Sequence, residues 1–301
     1  MRLKGATALV TGASSGIGRE AARALAKSGV RLAVSARRSQ NLDELADEVA
    51  ASGGPRPAVL PADLSVRGAA KELAAAAVEA LGRVDILVNN AGGGVGGLQW
   101  SVGDRDEGRE TFEVNFWSPL ALIQALVPPM RERGRGSVVN VTSIQQIVTW
   151  GGLGHYGSTK AALAIATETL RLELTGSGVD VLEVVAGPVD TAMQAEARMV
   201  PGAEDALKMV PVGKADVLAK LIVRALERRR KRLVYPRMVA LAYNLPFTAR
   251  FSTGLMAKRF MKRMSEQDQE MLSSVVRAGS FGDPMAQAAR ENWERRGIKG
   301  R

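Results

Sequence analysis

The chain of 301 residues contains no cysteine and a single histidine, His155. Without thiols there can be no disulfide and no thiolate metal centre, and no metal site is expected. The absence is compatible with a reducing, cytoplasmic setting. No segment supplies the about 18 consecutive apolar residues that a membrane-spanning helix needs. The start, Met1-Arg2-Leu3-Lys4-Gly5, runs straight into a strand-like segment, so no signal peptide is expected. Repeats and low-complexity segments are also missing. Acids are scarce in one region: between Arg224 and Met264 there are twelve Lys or Arg and one acid, Glu227. The net charge is +10, so the rest of the chain is close to neutral. A uniformly basic chain would point to nucleic acid; a neutral body with a basic late segment does not. A composition of 46% hydrophobic and 24% charged residues is that of a globular protein, long enough for one large domain.

The first two-thirds alternates short apolar runs with amphipathic ones. Strands are expected over Ala6–Val10, Arg31–Ala36, Pro57–Pro61, Val84–Asn89, Ser137–Ser143 and Val179–Val185, with a short seventh at Leu233–Tyr235. Helices are expected over Gly16–Lys27, Asn41–Ala51, Val66–Leu81, Tyr156–Leu174 and Ala215–Arg228, and one long helix over Glu107–Arg133. Continuous apolar strands fit a sheet covered on both faces. Repeated strand–helix–strand units require right-handed crossovers and give a parallel sheet. The expected fold is therefore α/β and doubly wound, with its ligand crevice beyond the carboxyl ends of the strands.

Thr11-Gly12-Ala13-Ser14-Ser15-Gly16-Ile17-Gly18 lies between the first strand and the first helix. Small residues there let the backbone approach a pyrophosphate. The helix N-terminus adds free N–H groups and the positive end of a dipole. Gly12, Ser14, Ser15, Gly16, Ile17 and Gly18 are thus candidate dinucleotide contacts. At the end of the second strand, Ser35-Ala36-Arg37-Arg38 offers no carboxylate for the adenosine ribose hydroxyls. Arg37 and Arg38 can fork onto a 2′-phosphate, which favours NADP(H). Asp63 and Leu64 follow the third strand, placed toward the adenine. Asn89-Asn90-Ala91-Gly92 closes the fourth, so Asn90, Ala91 and Gly92 should line the ribose region.

Tyr156 and Lys160 are four residues apart on a helix and share a face. A free phenol has a pKa near 10, and a neighbouring ammonium should lower it. Such a phenol can give a proton to a carbonyl oxygen or take one from an alcohol. Ser143 ends the fifth strand, where its hydroxyl can hold the substrate oxygen. Asn115 lies four residues before Pro119, which has no N–H for its carbonyl. That leaves the carbonyl for a relay water that would link to Lys160.

At these residues the chain resembles the short-chain dehydrogenase/reductase family in its short single-domain branch. The matching residues are the glycine motif, Asp63, Asn89-Asn90-Ala91-Gly92, Asn115, Ser143 and Tyr156-x-x-x-Lys160, and the likeness extends over roughly residues 5–235. The resemblance implies a Rossmann fold with seven parallel strands in the order 3-2-1-4-5-6-7 and helices on both faces. It also implies an Asn115–Ser143–Tyr156–Lys160 tetrad, Val189 and Thr191 near the carboxamide, and homodimers or homotetramers. After the sixth strand the family's usual Pro-Gly is replaced by Ala186-Gly187-Pro188.

Gln145, Ile147, Val148, Trp150, Leu153, His155 and Met193 are candidate substrate-pocket residues, and residues 194–212 a candidate lid. They are mostly apolar, so a hydrophobic carbonyl or alcohol is expected. His155 reads as pocket wall or surface rather than catalyst, because adjacent helix positions point different ways. Residues 1–235 are expected to form the catalytic domain, and 236–301 a basic helical extension that is not a domain of its own. The extension mixes apolar with basic residues. It reads as a subunit-packing or pocket-covering segment, with peripheral membrane contact through 236–264 as the alternative. Without a nucleic-acid motif, no such partner is expected. Residues 265–301 carry charges of both signs and are expected to fray. The expected activity is hydride transfer on a carbonyl/secondary alcohol pair. A cofactor-sensing protein without turnover, and a lipid-surface adaptor or membrane-surface dehydrogenase, stay open.

Overall fold

The computed structural model describes residues 1–191, 212–263 and 276–278. The chain begins with β1 (Thr7–Thr11), α1 (Gly16–Lys27), β2 (Arg31–Ser35), α2 (Ser39–Ala51), β3 (Ala58–Val59), α3 (Ala69–Leu81) and β4 (Ile86–Asn89). A short strand, β5 (Gly94–Gly96), then leads through α4 (Gln99–Val102) to α5 (Asp106–Phe112), a π-helical turn (Glu113–Trp117) and α6 (Ser118–Glu132). β6 (Gly136–Ser143), a 3₁₀ turn (Ile144–Gln146), α7 (Gly154–Glu173) and β7 (Val179–Ala186) follow. The described remainder is β8 (Val189–Asp190), β9 (Gly213–Lys214), α8 (Ala215–Glu227), β10 (Arg232–Tyr235), α9 (Val239–Asn244), α10 (Pro246–Arg263) and β11 (Val276–Ala278).

Seven strands form one parallel sheet in the order β3-β2-β1-β4-β6-β7-β10. Every residue of β1, β4 and β6 is buried. The reason is visible in the side-chain alternation along each strand. Ala8 and Val10 of β1 join Ile86 and Val88 of β4 in a core with Leu25 of α1, Leu45 of α2 and Ile222 of α8. Leu9 and Leu87 point the other way, into a second core with Leu73 of α3 and Leu122, Leu126 and Met130 of α6. Each strand is thus apolar on both faces because each face carries its own helical layer. β1 has β2 on one side and β4 on the other, so the chain reverses its direction of winding beside β1. The carboxyl end of β1 is the place where such folds take a ligand.

Some expected elements are altered. The third strand is only Ala58–Val59. α3 starts at Ala69 rather than Val66, because Gly68 has φ +96° and cannot continue a helix backward. The single helix expected over 107–133 is interrupted by the π-helical turn, which ends just before Pro119. A missing N–H at Pro119 is a known cause of such a local break. Charges of both signs suggested that 265–301 would fray, yet Val276–Ala278 pairs antiparallel with Gly94–Gly96. Backbone pairing of so short a strand leaves no periodic signal to read. The other residues of that stretch lie outside the described ones.

The extension is seated on the body. Arg250 Nε donates to Ile147 O at 2.8 Å. Trp150 and Phe260 stack with ring centroids 5.8 Å apart. Phe260 and Met261 pack against Leu98. α10 therefore lies on the loop that joins β6 to α7.

Candidate active site

The glycine-rich turn leaves β1 at the crevice. Gly12 and Gly16 have φ of +65° and +55°, which side-chain-bearing residues rarely adopt. A Cβ on Gly18 would lie 2.3 Å from Gly12 O and from Asn90 Nδ2. Ser15 precedes α1 in extended backbone and makes no side-chain cap, which leaves first-turn N–H groups of α1 available to an anion. The turn is held from β4: Asn90 Nδ2 donates to Thr11 O at 3.0 Å and Gly12 O at 3.2 Å. Thr11 Oγ1 accepts from the N–H groups of Asn90 and Ala91, both at 3.0 Å. Asn90 is thus a staple of the cradle as well as part of its wall. Gly18→Ala is expected to destabilise the fold by about 1–3 kcal/mol through overpacking. A urea midpoint equal to that of the parent would mean that the turn opens freely.

Arg37 and Arg38 are exposed immediately after β2, and Arg38 directly precedes α2. Asp63 is exposed, with Oδ1 accepting from Ser65 N at 3.0 Å and Ser65 Oγ at 2.7 Å. Leu64 is buried, and its carbonyl accepts from Ser118 Oγ at 2.8 Å. Val189 is buried in β8. The Thr191 methyl would lie 3.0 Å from a Cβ on Gly16, so the segment after β7 closes on the glycine turn. The fit to a dinucleotide rests on this cradle, which has room only for backbone. Met193 and the lid residues 194–211 lie outside the described residues.

Beyond β6 the reacting groups converge. Ser143 is buried at the strand's end, where Oγ accepts from Gln145 N at 3.2 Å and stands close enough to the Tyr156 phenol to act on it. Lys160 Nζ lies 5.8 Å from the Tyr156 ring centroid, on the same face of α7, and donates to Val141 O at 3.0 Å. Asn115 sits fully buried in the π-helical turn. Its Oδ1 accepts from Gly93 N at 3.0 Å, and its Nδ2 donates to Gly93 O at 2.7 Å and Thr159 Oγ1 at 2.9 Å. Thr159 Oγ1 in turn donates to Tyr156 O at 2.7 Å. Gly92 is wedged between these groups: a Cβ there would lie 3.0 Å from Asn115 Oδ1 and 3.4 Å from Lys160 Nζ. The four predicted tetrad residues are therefore brought to one place.

The electrostatics differ from the sequence expectation. Burial pushes the Tyr156 phenol above its ordinary value of 10.0, and the neighbouring Ser143 hydroxyl pulls in the opposite direction. Burial also lowers Lys160, to about 8. Desolvation opposes charge on each member, and the hydrogen bond that Lys160 Nζ makes among the described residues goes to Val141 O rather than to the phenol.

Gln145, Ile147, Val148, Trp150 and Leu153 are half-buried in the stretch between Ser143 and Tyr156. His155 is buried, and its Nε2 lies 2.8 Å from Gly103 O. It ties α7 to the turn after α4 and is not at the surface. Thr159, Gly93 and Thr11 went unassigned as positioning groups. Thr159 had one legible signal, a hydroxyl beside Lys160 one turn from Tyr156, but its partner on the π-helical turn depends on the fold.

Against known sequences, the model of the family described as short chain dehydrogenase matches residues 6–200. The chain belongs to the short-chain dehydrogenase family. It is 40% identical over 197 residues to a short chain dehydrogenase of Pseudocercospora fijiensis, with 64% of this chain and 63% of that protein covered. It is 38% identical over 196 residues to the 1-deoxy-11-beta-hydroxypentalenate dehydrogenase of Streptomyces avermitilis, with 64% and 72% covered. Two solved short-chain dehydrogenase structures share the fold. The enzyme of Burkholderia phymatum in complex with NAD has a TM-score of 0.69 and 27% identity, covering 83% of this chain and 97% of that one. A metagenomic oxidoreductase in complex with NADP has a TM-score of 0.65 and 27% identity, covering 78% and 97%. As a short-chain dehydrogenase, this chain is an oxidoreductase of the kind that works with a nicotinamide cofactor on alcohol and carbonyl groups.

Proposed function

We propose that this short-chain dehydrogenase uses NADP(H) to interconvert a hydrophobic carbonyl compound and its secondary alcohol. The observation that carries the reaction is the Ser143–Tyr156–Lys160 convergence beside the glycine cradle. Gly12, Ser14, Ser15, Gly16, Ile17 and Gly18 would hold the pyrophosphate. Asn90, Ala91 and Gly92 would line the ribose, Asp63 and Leu64 the adenine, and Val189 and Thr191 the carboxamide. A nicotinamide held there would supply the hydride chemistry at the substrate carbon.

The protein's own groups manage the proton. The Ser143 hydroxyl donates to the substrate oxygen and steadies the charge that develops there. The Tyr156 phenol gives that oxygen its proton in reduction and accepts it in oxidation. Lys160, as ammonium, favours the phenolate while the proton is away, and would bond the nicotinamide ribose. Asn115 fixes the π-helical turn against α7 through Gly93 and Thr159. Its own carbonyl, which Pro119 cannot serve, would hold the relay water.

The phosphate preference rests on Arg37 and Arg38, exposed where β2 ends, with no acid in Ser35-Ala36-Arg37-Arg38. Replacing both arginines by Ala should lower kcat/KM for NADPH on the order of 10²-fold, through lost charge-assisted hydrogen bonds, and leave NADH within a few-fold. Equal losses with both cofactors would sink the 2′-phosphate contact. The hydrophobic substrate rests on half-buried Ile147, Val148, Trp150 and Leu153 beside Ser143. Assembly as a homodimer or homotetramer is part of the same reading, and sedimentation of the purified chain would test it.

A further inference from the structure

Residues 228–265 contain eleven Lys or Arg and no Asp or Glu. Some of this charge is absorbed by the body: Arg232 pairs with Glu183 at 2.6 Å and with Glu168, and Arg229 lies 3.6 Å from Asp180. Among the described residues, Arg237, Lys258, Arg259 and Lys262 meet no acid. Lys258, Arg259 and Lys262 are exposed on α10, and Arg237 in the turn before α9.

The same surface carries large apolar side chains turned outward. Phe247 is 83% exposed and Phe251 69%, with Leu255 one further turn along the same face of α10 and also exposed. Lys258, Arg259 and Lys262 continue that face. On α9, Leu241 is 67% exposed, and Met238 just before it 70%. The helix is not loosely attached, because its other side is occupied: Ala249 is buried, Phe260 stacks on Trp150, and Arg250 holds Ile147 O. The outward apolar face is therefore a feature of a seated helix.

We infer that α9 and α10 form a docking surface for an anionic lipid bilayer, lying in the headgroup region with Phe247 and Phe251 inserted. Charge complementarity selects this occupant. A second copy of the chain would bring two acid-free basic faces together. A nucleic acid would engage the cations but leave the phenylalanines and leucines in water. Bulky apolar side chains bordered by Lys and Arg on one helix fit the boundary between headgroups and acyl chains. No described helix is long and apolar enough to cross a membrane, so the contact is peripheral. The inference does not depend on the reaction, and its test does not read turnover.

The full chain would be co-sedimented with vesicles of phosphatidylcholine alone and of phosphatidylcholine mixed with phosphatidylserine. Binding is expected only to the mixed vesicles, and it should weaken as salt shortens the Debye length. Phe247→Ser with Phe251→Ser should lower the partition coefficient at least about tenfold. Lys258→Gln with Arg259→Gln and Lys262→Gln should flatten the salt dependence. An unchanged thermal midpoint certifies the fold of each variant. Should the serine variant fail to fold, Phe251→Trp gives an independent readout, a blue-shifted difference emission on the mixed vesicles. Absent wild-type binding, binding that ignores the two phenylalanines, or no emission shift would overturn the inference. So would a serine variant that loses oligomer mass in lipid-free buffer, which would assign the face to a second copy. RNA binding without vesicle binding would overturn it in favour of nucleic acid.

Discussion

Tyr156→Phe is expected to reduce kcat by about 10²–10⁴-fold, the range that a positioned acid or base supplies, while cofactor binding stays within a few-fold. The substitution removes one oxygen and leaves the ring. The ring is half-buried on α7 and contributes its face toward Lys160, and neither feature needs the hydroxyl. What disappears is the phenol oxygen beside Ser143. Ser143 could still hold a substrate oxygen, but it has no group behind it to pass a proton. Stopped turnover with preserved cofactor affinity would separate an enzyme from a binding protein of the same fold. Near-normal kcat in this variant would remove Tyr156 from the reaction.

The sequence carried the sheet because each strand sits between two cores, and burial on both faces writes a continuous apolar run that needs no partner to be recognised. The meeting of Ser143, Tyr156 and Lys160 was legible for a related reason. Tyr156 and Lys160 belong to one helix, and Ser143 ends the preceding strand, so local spacing nearly determines their meeting. Other features depend on pairs far apart in the chain. Glu183 is an acid inside an apolar strand, fully buried, and is satisfied by Arg232 Nε at 2.6 Å, Thr142 Oγ1 at 3.1 Å and Gln146 Nε2 at 3.1 Å. Nothing local in Val-Asp-Val-Leu-Glu-Val-Val-Ala announces that arginine. The π-helical turn was foreshadowed by Pro119, but its purpose appears only when Asn115 meets Gly93 and Thr159. The seat of α10 was equally hidden, since Trp150 and Phe260 come from segments with unrelated patterns. The pKa reading failed for a different reason. Spacing shows that an ammonium is near a phenol, but not how much water each has lost.

That lost water makes Lys160 testable by stability as well as by rate. Lys160 is 4% exposed, and burial lowers its pKa from 10.5 to about 8. Below pH 8 the folded and unfolded chains both carry the proton, and the folded state bears the full desolvation penalty. Between pH 8 and 10.5 the folded chain has released the proton while the unfolded chain still holds it. The unfolded state then binds more protons, so stability must rise with pH across that window, by up to about 3 kcal/mol. Lys160→Met removes the titration. Its unfolding free energy should stay flat where that of the wild type climbs, once other groups are subtracted as common to both. At pH 7 the variant should be the more stable of the two, by that penalty less about 1 kcal/mol for the lost bond to Val141 O. Its kcat should nevertheless fall on the order of 10²-fold, because nothing then favours the phenolate. A buried amine that weakens the fold at neutral pH is explained by chemistry rather than by packing. Parallel stability curves for wild type and variant would show that Lys160 keeps its proton throughout, and would take away its part in tuning Tyr156.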